Sequence, residues 1–409
     1  MLDEIGVSSV EDFFTNIPEK VRLNKKNNLL NLPLHQGEIE VTNYFEKLAA
    51  KNTSAKQTSF FLGAGSYYHH IPATVDSIIQ RSEFLTSYTP YQPEVSQGTL
   101  MSIFEFQSYI VAITGQDIAN ASMYDGATAL AEAVLMAQRI TRKNNVVIHN
   151  ILHPQYKEVL ETYTSEKQTE FVTDITEDTA CVIVQIPDFE GNISTLETLR
   201  KQCDETKTLL IVVTTEILAF GLLPAPTLAD IVVGEAKSLG NPLSFGGPYL
   251  GIFACKQKYL RQMPGRVCGE TVDADGKRGY VLTLNTREQH IRREKATSNI
   301  CTNEGLCALA FTIHASLLGE SGFKKLAKLN HAKAVTLAEK FKKAGIKVIN
   351  KTFFNEFVIQ LNSSSDEVVE KLLEQKIIAG YPLKNNKLLV AVTEMTSDDD
   401  MDKLVKALN

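Results

Sequence analysis

Residues 229–254 read Ala-Asp-Ile-Val-Val-Gly-Glu-Ala-Lys-Ser-Leu-Gly-Asn-Pro-Leu-Ser-Phe-Gly-Gly-Pro-Tyr-Leu-Gly-Ile-Phe-Ala. A short apolar run, Ile231 to Val233, leads to Lys237 among small residues, and a bend dense in Pro and Gly feeds a second run, Leu250 to Ala254. Apolar runs bounded by turn residues read as buried strands, so the stretch is strand, lysine, tight bend, strand. The chain before it alternates in the same way. Strands are expected at Val146–His149, Thr169–Val172, Ala180–Ile186 and Leu209–Val213, with helices at Gln155–Ser165 and Ser194–Thr206. Strands and helices alternating at these lengths fold as a parallel or mixed sheet with helices on both faces, which places the chain in the α/β class. Ligands in such sheets gather beyond the carboxyl ends of the strands, where Lys237 falls.

A lysine in that place has two readings. It is either the Schiff-base lysine of an enzyme holding pyridoxal 5′-phosphate (PLP), with Gly246 and Gly247 letting backbone pass close to the cofactor, or an ordinary surface lysine beside a structural turn. Residues 118–137 supply a second candidate, a turn running into an Ala-rich helix that begins near Asp125 or Gly126. Gly126, Ala127 and Thr128 would then offer N–H groups and a hydroxyl to a phosphate or carboxylate at the positive helix end. The alternative there is a plain N-cap by Asp125.

Phe60 to Pro72 has the composition of a loop reaching into a site, with His69 and His70 among its polar tips. Adjacent histidines cannot easily face one ion and no third ligand is evident, so no metal is expected. Leu85 to Gly98, which carries Tyr88, Tyr91 and Gln97, has two prolines and reads as an ordered loop. A helix from Thr99 to Ile113 should stop at Gly115. Thr283 to Asn303 is dense in charge: it reads as a helix laced with ion pairs or, through its arginines, as an anion or partner contact. An apolar helix from Glu304 to Leu318 precedes Gly319 and Gly322, and the remainder reads α-β-β-α-β-α. The expected organisation is therefore an N-terminal arm over 1–60, a large domain over 61–320 and a small C-terminal α/β domain over 321–409.

Length and composition bound the function. The 409 residues are 44% hydrophobic and 22% charged, ordinary for a soluble globular chain, with no uninterrupted apolar run long enough to span a bilayer. The start, Met1-Leu-Asp-Glu-Ile, has no basic region followed by an apolar block, so no secretory signal is expected. A net charge of −6 gives no footprint for nucleic acid, and the basic run Lys20 to Lys26 is short. Six dispersed cysteines, none in a CxxC pair, are the pattern of reduced thiols, and the expected location is cytoplasmic.

Read together, Thr89–Gly98, Ile118–Ala129, Gly240–Gly251, Pro264-Gly-Arg266 and Arg287–Ile300 closely resemble the glycine cleavage system P-protein family, on the side of the alpha chain (subunit 1) of its two-chain glycine dehydrogenase (decarboxylating). The resemblance covers nearly the whole chain. It implies PLP-dependent transferase fold type I, with a mostly parallel seven-stranded sheet in the large domain. It also implies an activity: glycine is bound through PLP, carbon dioxide is released, and the aminomethyl group passes to the lipoyl arm of the H-protein. PLP would be carried mainly by the beta chain (subunit 2) in an alpha2-beta2 assembly. Tyr88, Tyr91, Gln97, His69 and His70 would line a site at the alpha–beta contact. Lys237 then stands where the beta chain has its Schiff-base lysine and where alpha chains carry another residue, often glutamine. Fold type I also needs an acid for the pyridinium nitrogen, and Leu209 to Leu218 has only Glu216 to offer. The alternatives are an autonomous PLP enzyme using Lys237 and a non-catalytic scaffold for the beta chain.

Overall fold

The computed structural model describes residues 1–22, 33, 35–284 and 289–409, the side chain of His290 excepted. It divides into two units, Met1–Ser54 and Ala55–Asn409. In the first, within the expected N-terminal arm, lie a 3-10 turn, Val10–Phe14, and helix α1, Glu38–Ala49. Helix α1 buries none of its residues. The connector Lys25–Asn28 lies outside the described residues.

The second unit is built on a seven-stranded sheet. Its strands are β1 (Ile118–Ala119), β2 (Asn145–Ile148), β3 (Glu170–Val172), β4 (Thr179–Gln185), β5 (Leu209–Thr214), β6 (Ile231–Glu235) and β7 (Gly251–Cys255). They lie in the order β1-β7-β6-β5-β4-β2-β3. The pairs from β6 through β3 are parallel, while β7 runs antiparallel to both its neighbours. Helices α2 (Gln97–Thr114), α3 (Gly126–Thr141), α4 (Pro154–Thr164), α5 (Glu197–Thr206) and α6 (Gly305–Lys343) accompany it. Strands β4 to β7 are buried end to end, as strands covered on both faces must be. Alternate residues serve opposite layers. Ile211, Val213, Ile231 and Val233 pack with Leu130 and Val134 of α3, and Leu210, Val212 and Val232 with Leu199 and Cys203 of α5. Helix α2 stops, as expected, at left-handed Gly115.

The differences from the expectation are at weakly patterned segments. Ile118–Ala119, read as the start of a turn, is an edge strand. A half-exposed hairpin, β8 (Val267–Val272) and β9 (Arg278–Thr283), has no clean alternation to mark it. The charged stretch 283–303 is not one helix: it holds Gln289–Arg292 and a 3-10 turn, Arg293–Lys295, and Arg287 lies outside the described residues. Helix α6 continues through Gly319, whose φ of 56° breaks the helical geometry. By length and composition α6 could also span a bilayer, unlike the apolar runs read from the sequence. Here Ala308, Phe311 and Ala315 of α6 pack with Phe106 and Ile252 in a core cluster.

Beyond α6, a four-stranded antiparallel sheet runs β10-β11-β13-β12, formed by β10 (Lys347–Val348), β11 (Glu356–Gln360), β12 (Tyr381–Leu383) and β13 (Lys387–Ala391). Helices α7 (Ser365–Leu373) and α8 (Asp398–Leu408) complete it, and Leu372, Met401 and Leu404 pack with Phe357 and Leu388.

Ile211, fully buried at the centre of β5, and Phe171, 39% exposed on edge strand β3, set the scale of this packing. Ile211→Ala is expected to lower unfolding stability in urea by about 2–5 kcal/mol, and Phe171→Ala by less than about 1 kcal/mol.

Candidate functional site

Strand β6 ends in Glu235, and the chain then turns through Ala236 to Lys237, both buried. One oxygen of Glu235 accepts from the backbone N–H of Lys237 (3.0 Å) and of Leu250 (2.6 Å), and the other from the N–H of Gly126 (3.2 Å). Its carboxylate therefore sits at the N-terminus of α3, where the sequence offered Gly126, Ala127 and Thr128 to a ligand's phosphate. The N–H of Thr128 is also taken, by the Asp125 side chain at 2.7 Å, and the Thr128 hydroxyl donates to the Asp125 carbonyl. The N-cap reading is what the structure adopts, as a capping box. A Cβ added at Gly126 would collide with the Tyr156 hydroxyl, so the space over the glycine is occupied as well. Burial pushes the Glu235 carboxyl up to about 7, against the pull of its three N–H donors, and nearby Asp125 adds to the rise. A phosphate dianion placed here would face two carboxylates, so the residues present do not fit PLP.

Lys237 fits no better. Although it is 3% exposed, its ammonium turns to the bend that follows and donates to the carbonyls of Pro242 (2.6 Å) and Pro248 (2.5 Å). Burial lowers its pKa, opposed by the charge of Glu235. The amine is bound to two peptide carbonyls, the arrangement that the structural-turn reading expects. Glu216, the one acid available to a pyridinium nitrogen, is also spent. It accepts from the Leu218 N–H (3.0 Å) and the Ser238 hydroxyl (3.0 Å), and it meets His69 Nε2 at 2.9 Å.

The two adjacent histidines go separate ways. The ring of His69 is buried between Glu216 and Glu394, with Nδ1 2.9 Å from Glu394, whereas His70 is exposed and gives only its backbone N–H to Glu394 at 2.7 Å. Burial opposes a charge on His69, but the charge and hydrogen bond of Glu216, with those of Glu394, outweigh it and raise the imidazole to about 10. Glu394, which burial would push up, is held at about 2 by the His69 hydrogen bond and charge. The same loop gives Glu356 of β11 the Ala64 N–H (2.7 Å) and the Tyr67 hydroxyl (2.9 Å). Burial pushes Glu356 up to about 7 despite these donors. The loop is a strap tied down by the carboxylates of Glu216, Glu356 and Glu394.

Of the remaining candidates, Tyr88 is 81% and Tyr91 58% exposed. Arg266 reaches the Tyr91 hydroxyl at 3.3 Å and the Thr302 hydroxyl at 2.8 Å. Gln97 is committed internally, its amide bonded at both ends to the backbone of Tyr280 in β9. Sequence reasoning missed Glu235, Tyr156, Glu356 and Glu394. Only Glu235, a carboxylate inside an apolar strand and two residues before the lysine, carried a local signal.

The sequence matches the family profile described as glycine cleavage system P-protein over residues 1–408. Probable glycine dehydrogenase (decarboxylating) subunit 1 of Beijerinckia indica is 51% identical over 432 residues, spanning 100% of this chain and 96% of its own. The protein of the same description from Rhodospirillum centenum is 52% identical over 433 residues, with the same coverage. A crystal structure of glycine decarboxylase (P-protein) of the glycine cleavage system, in inhibitor-bound form, superimposes with a TM-score of 0.92 at 38% identity, covering 100% of this chain and 96% of that one. A sphingosine-1-phosphate lyase from Burkholderia pseudomallei matches at a TM-score of 0.67 and 13% identity over 94% of each chain. The fold is that of PLP-dependent enzymes of fold type I.

The His69 clasp has a signed pH dependence. Its folded pKa is raised, so its contribution is full below about 6.5 and declines as pH rises toward about 10. His69→Asn should cost about 3–5 kcal/mol at pH 6.5 and remove this alkaline decline, as read from urea unfolding between pH 6.5 and 9.5.

Proposed function

Since this chain belongs to the glycine cleavage system P-protein family, we propose that it is the alpha subunit of glycine decarboxylase and depends on a second, lysine-bearing subunit for catalysis. One observation carries the reading: the chain's own Glu235 occupies the anion position at the head of α3 while Lys237 is bound to the following bend. A fold type I chain with its phosphate position filled from within is not self-sufficient. The cofactor, which supplies the electron sink for the carbanion left by decarboxylation, is then carried by the partner. This chain contributes shape and surface. Tyr88 and Tyr91 are the exposed side chains placed to line a site shared with the partner, with Arg266 holding the Tyr91 hydroxyl.

In this reading the assembly is alpha2-beta2, the lipoylated H-protein takes up the aminomethyl group, and the division at 320/321 separates the large domain from the small one. The six cysteines are free thiols, which suits a reducing cytoplasm. The autonomous reading through Lys237 has the geometry against it. A pure scaffold would use Tyr88 and Tyr91 as contacts to the partner alone, without lining the site.

Two experiments test this. The isolated chain, given PLP and then borohydride, should show no visible aldimine band and no label on Lys237; a reducible chromophore there would return the autonomous reading. In the complex with the partner subunit, the double variant Tyr88→Ala, Tyr91→Ala should lower the exchange of the glycine carboxyl with bicarbonate by about tenfold or more, a loss of ~1.4 kcal/mol of transition-state binding. Unchanged exchange would leave only the scaffold.

A further inference from the structure

Lys237 is buried, and its surroundings show what its ammonium does. Its hydrogen-bond partners are the two carbonyls at either end of the bend 242–248, and Nζ lies 5.0 Å from the centre of the Tyr249 ring. Keeping a cation out of water with carbonyls as partners is unfavourable. What it provides in return is one charged atom that ties both ends of a loop. Between those ends Ser244, Phe245 and Gly246 have φ of 47°, 54° and 119°. Non-glycine residues hold such a conformation only where their surroundings over-determine it.

The tip of this bend nevertheless has no cover from the described residues of the chain. A Cβ added at Gly246 or Gly247 would meet nothing within 4 Å, and Phe245 is 79% exposed. The bend is therefore stiffened from below and bare above, with an aromatic ring at its crest. Its base joins another exposed surface. Asn241 Nδ2 donates to the Cys307 carbonyl (3.2 Å) in the first turn of α6, and Gly305 and Leu306 of that turn line a crevice with Tyr88. The bend and the loop of Tyr88 thus both adjoin the first turn of α6.

We infer that the bend 242–248, pinned by Lys237, is a rigid docking element whose Phe245 anchors this chain in an apolar pocket of the partner subunit. The inference rests on the two-subunit reading given above. A preorganised loop with a single aromatic anchor is an effective contact, because it has little conformational freedom left to lose and buries a large ring. Lys237 acts here as a positioning residue, through the bend.

The test is the dissociation constant of the full-length chain for the partner subunit, by calorimetry or sedimentation. Phe245→Ala should raise it by about tenfold or more while the melting temperature of the isolated chain stays unchanged, since the ring is exposed in that chain. Lys237→Met should raise it as well and speed hydrogen exchange at the amides of 243–247. If Phe245→Ala binds within less than tenfold of the parent chain, the docking role is wrong. Unchanged exchange in Lys237→Met overturns the pin. Loss of self-association in Phe245→Ala with partner binding intact assigns the surface to a second copy of this chain and overturns the inference. A parent chain that fails to bind the partner at all overturns the two-subunit reading itself, and this inference with it.

Discussion

The carboxylate of Glu235 ties together the end of β6, the start of α3 and the entry to β7 through three backbone N–H groups. These donors lie in the interior of an α/β fold, where an unpaired N–H is costly. At the head of a helix they also favour negative charge. In a ligand-binding site of this geometry the anion comes with the ligand, but here the polypeptide supplies its own. Once Glu235 is seated, the Tyr156 hydroxyl fits over Gly126 and Lys237 is left to the bend beyond.

The same preference for internal partners runs through the neighbouring strap. Two carboxylates, the buried Glu216 after β5 and Glu394 after β13, converge on the single imidazole of His69 and raise its pKa. Breaking either contact would leave an uncompensated buried charge, so the strap, the segment after β5 and the segment after β13 are held as one piece. Glu356, with neutral donors only, is left near 7 by burial. An interior of this kind is specified by polar satisfaction as much as by packing.

The exposed face complements this closed interior. This chain of the P-protein family keeps the fold of PLP-dependent enzymes and exposes the aromatic side chains of Tyr88, Tyr91 and Phe245 to solvent. Surfaces of that composition belong to interfaces.

The strands and helices of the sheet were legible in the sequence because burial on two faces leaves long apolar runs, and turn residues bound them. The family was legible for a different reason, through extended motifs such as Gly240–Gly251. Short or half-exposed elements, β1 and the β8–β9 hairpin among them, were not, because neither burial nor alternation marks them. Lys237 was visible as a lysine at the end of a strand, but its role was not. Whether its amine faces a cofactor or two proline carbonyls depends on where the bend 242–248 folds back, and on a glutamate that claims the helix end first. His69 and Glu394 stand 325 residues apart, and Glu235 and Gly126 stand 109 apart. Local sequence determines which segments are strands and helices, since those choices rest on neighbouring residues. Which charged groups neutralise one another is decided only when the tertiary fold brings them within 3 Å or so, because the Coulomb and hydrogen-bond terms that set a side chain's role act over that distance in space.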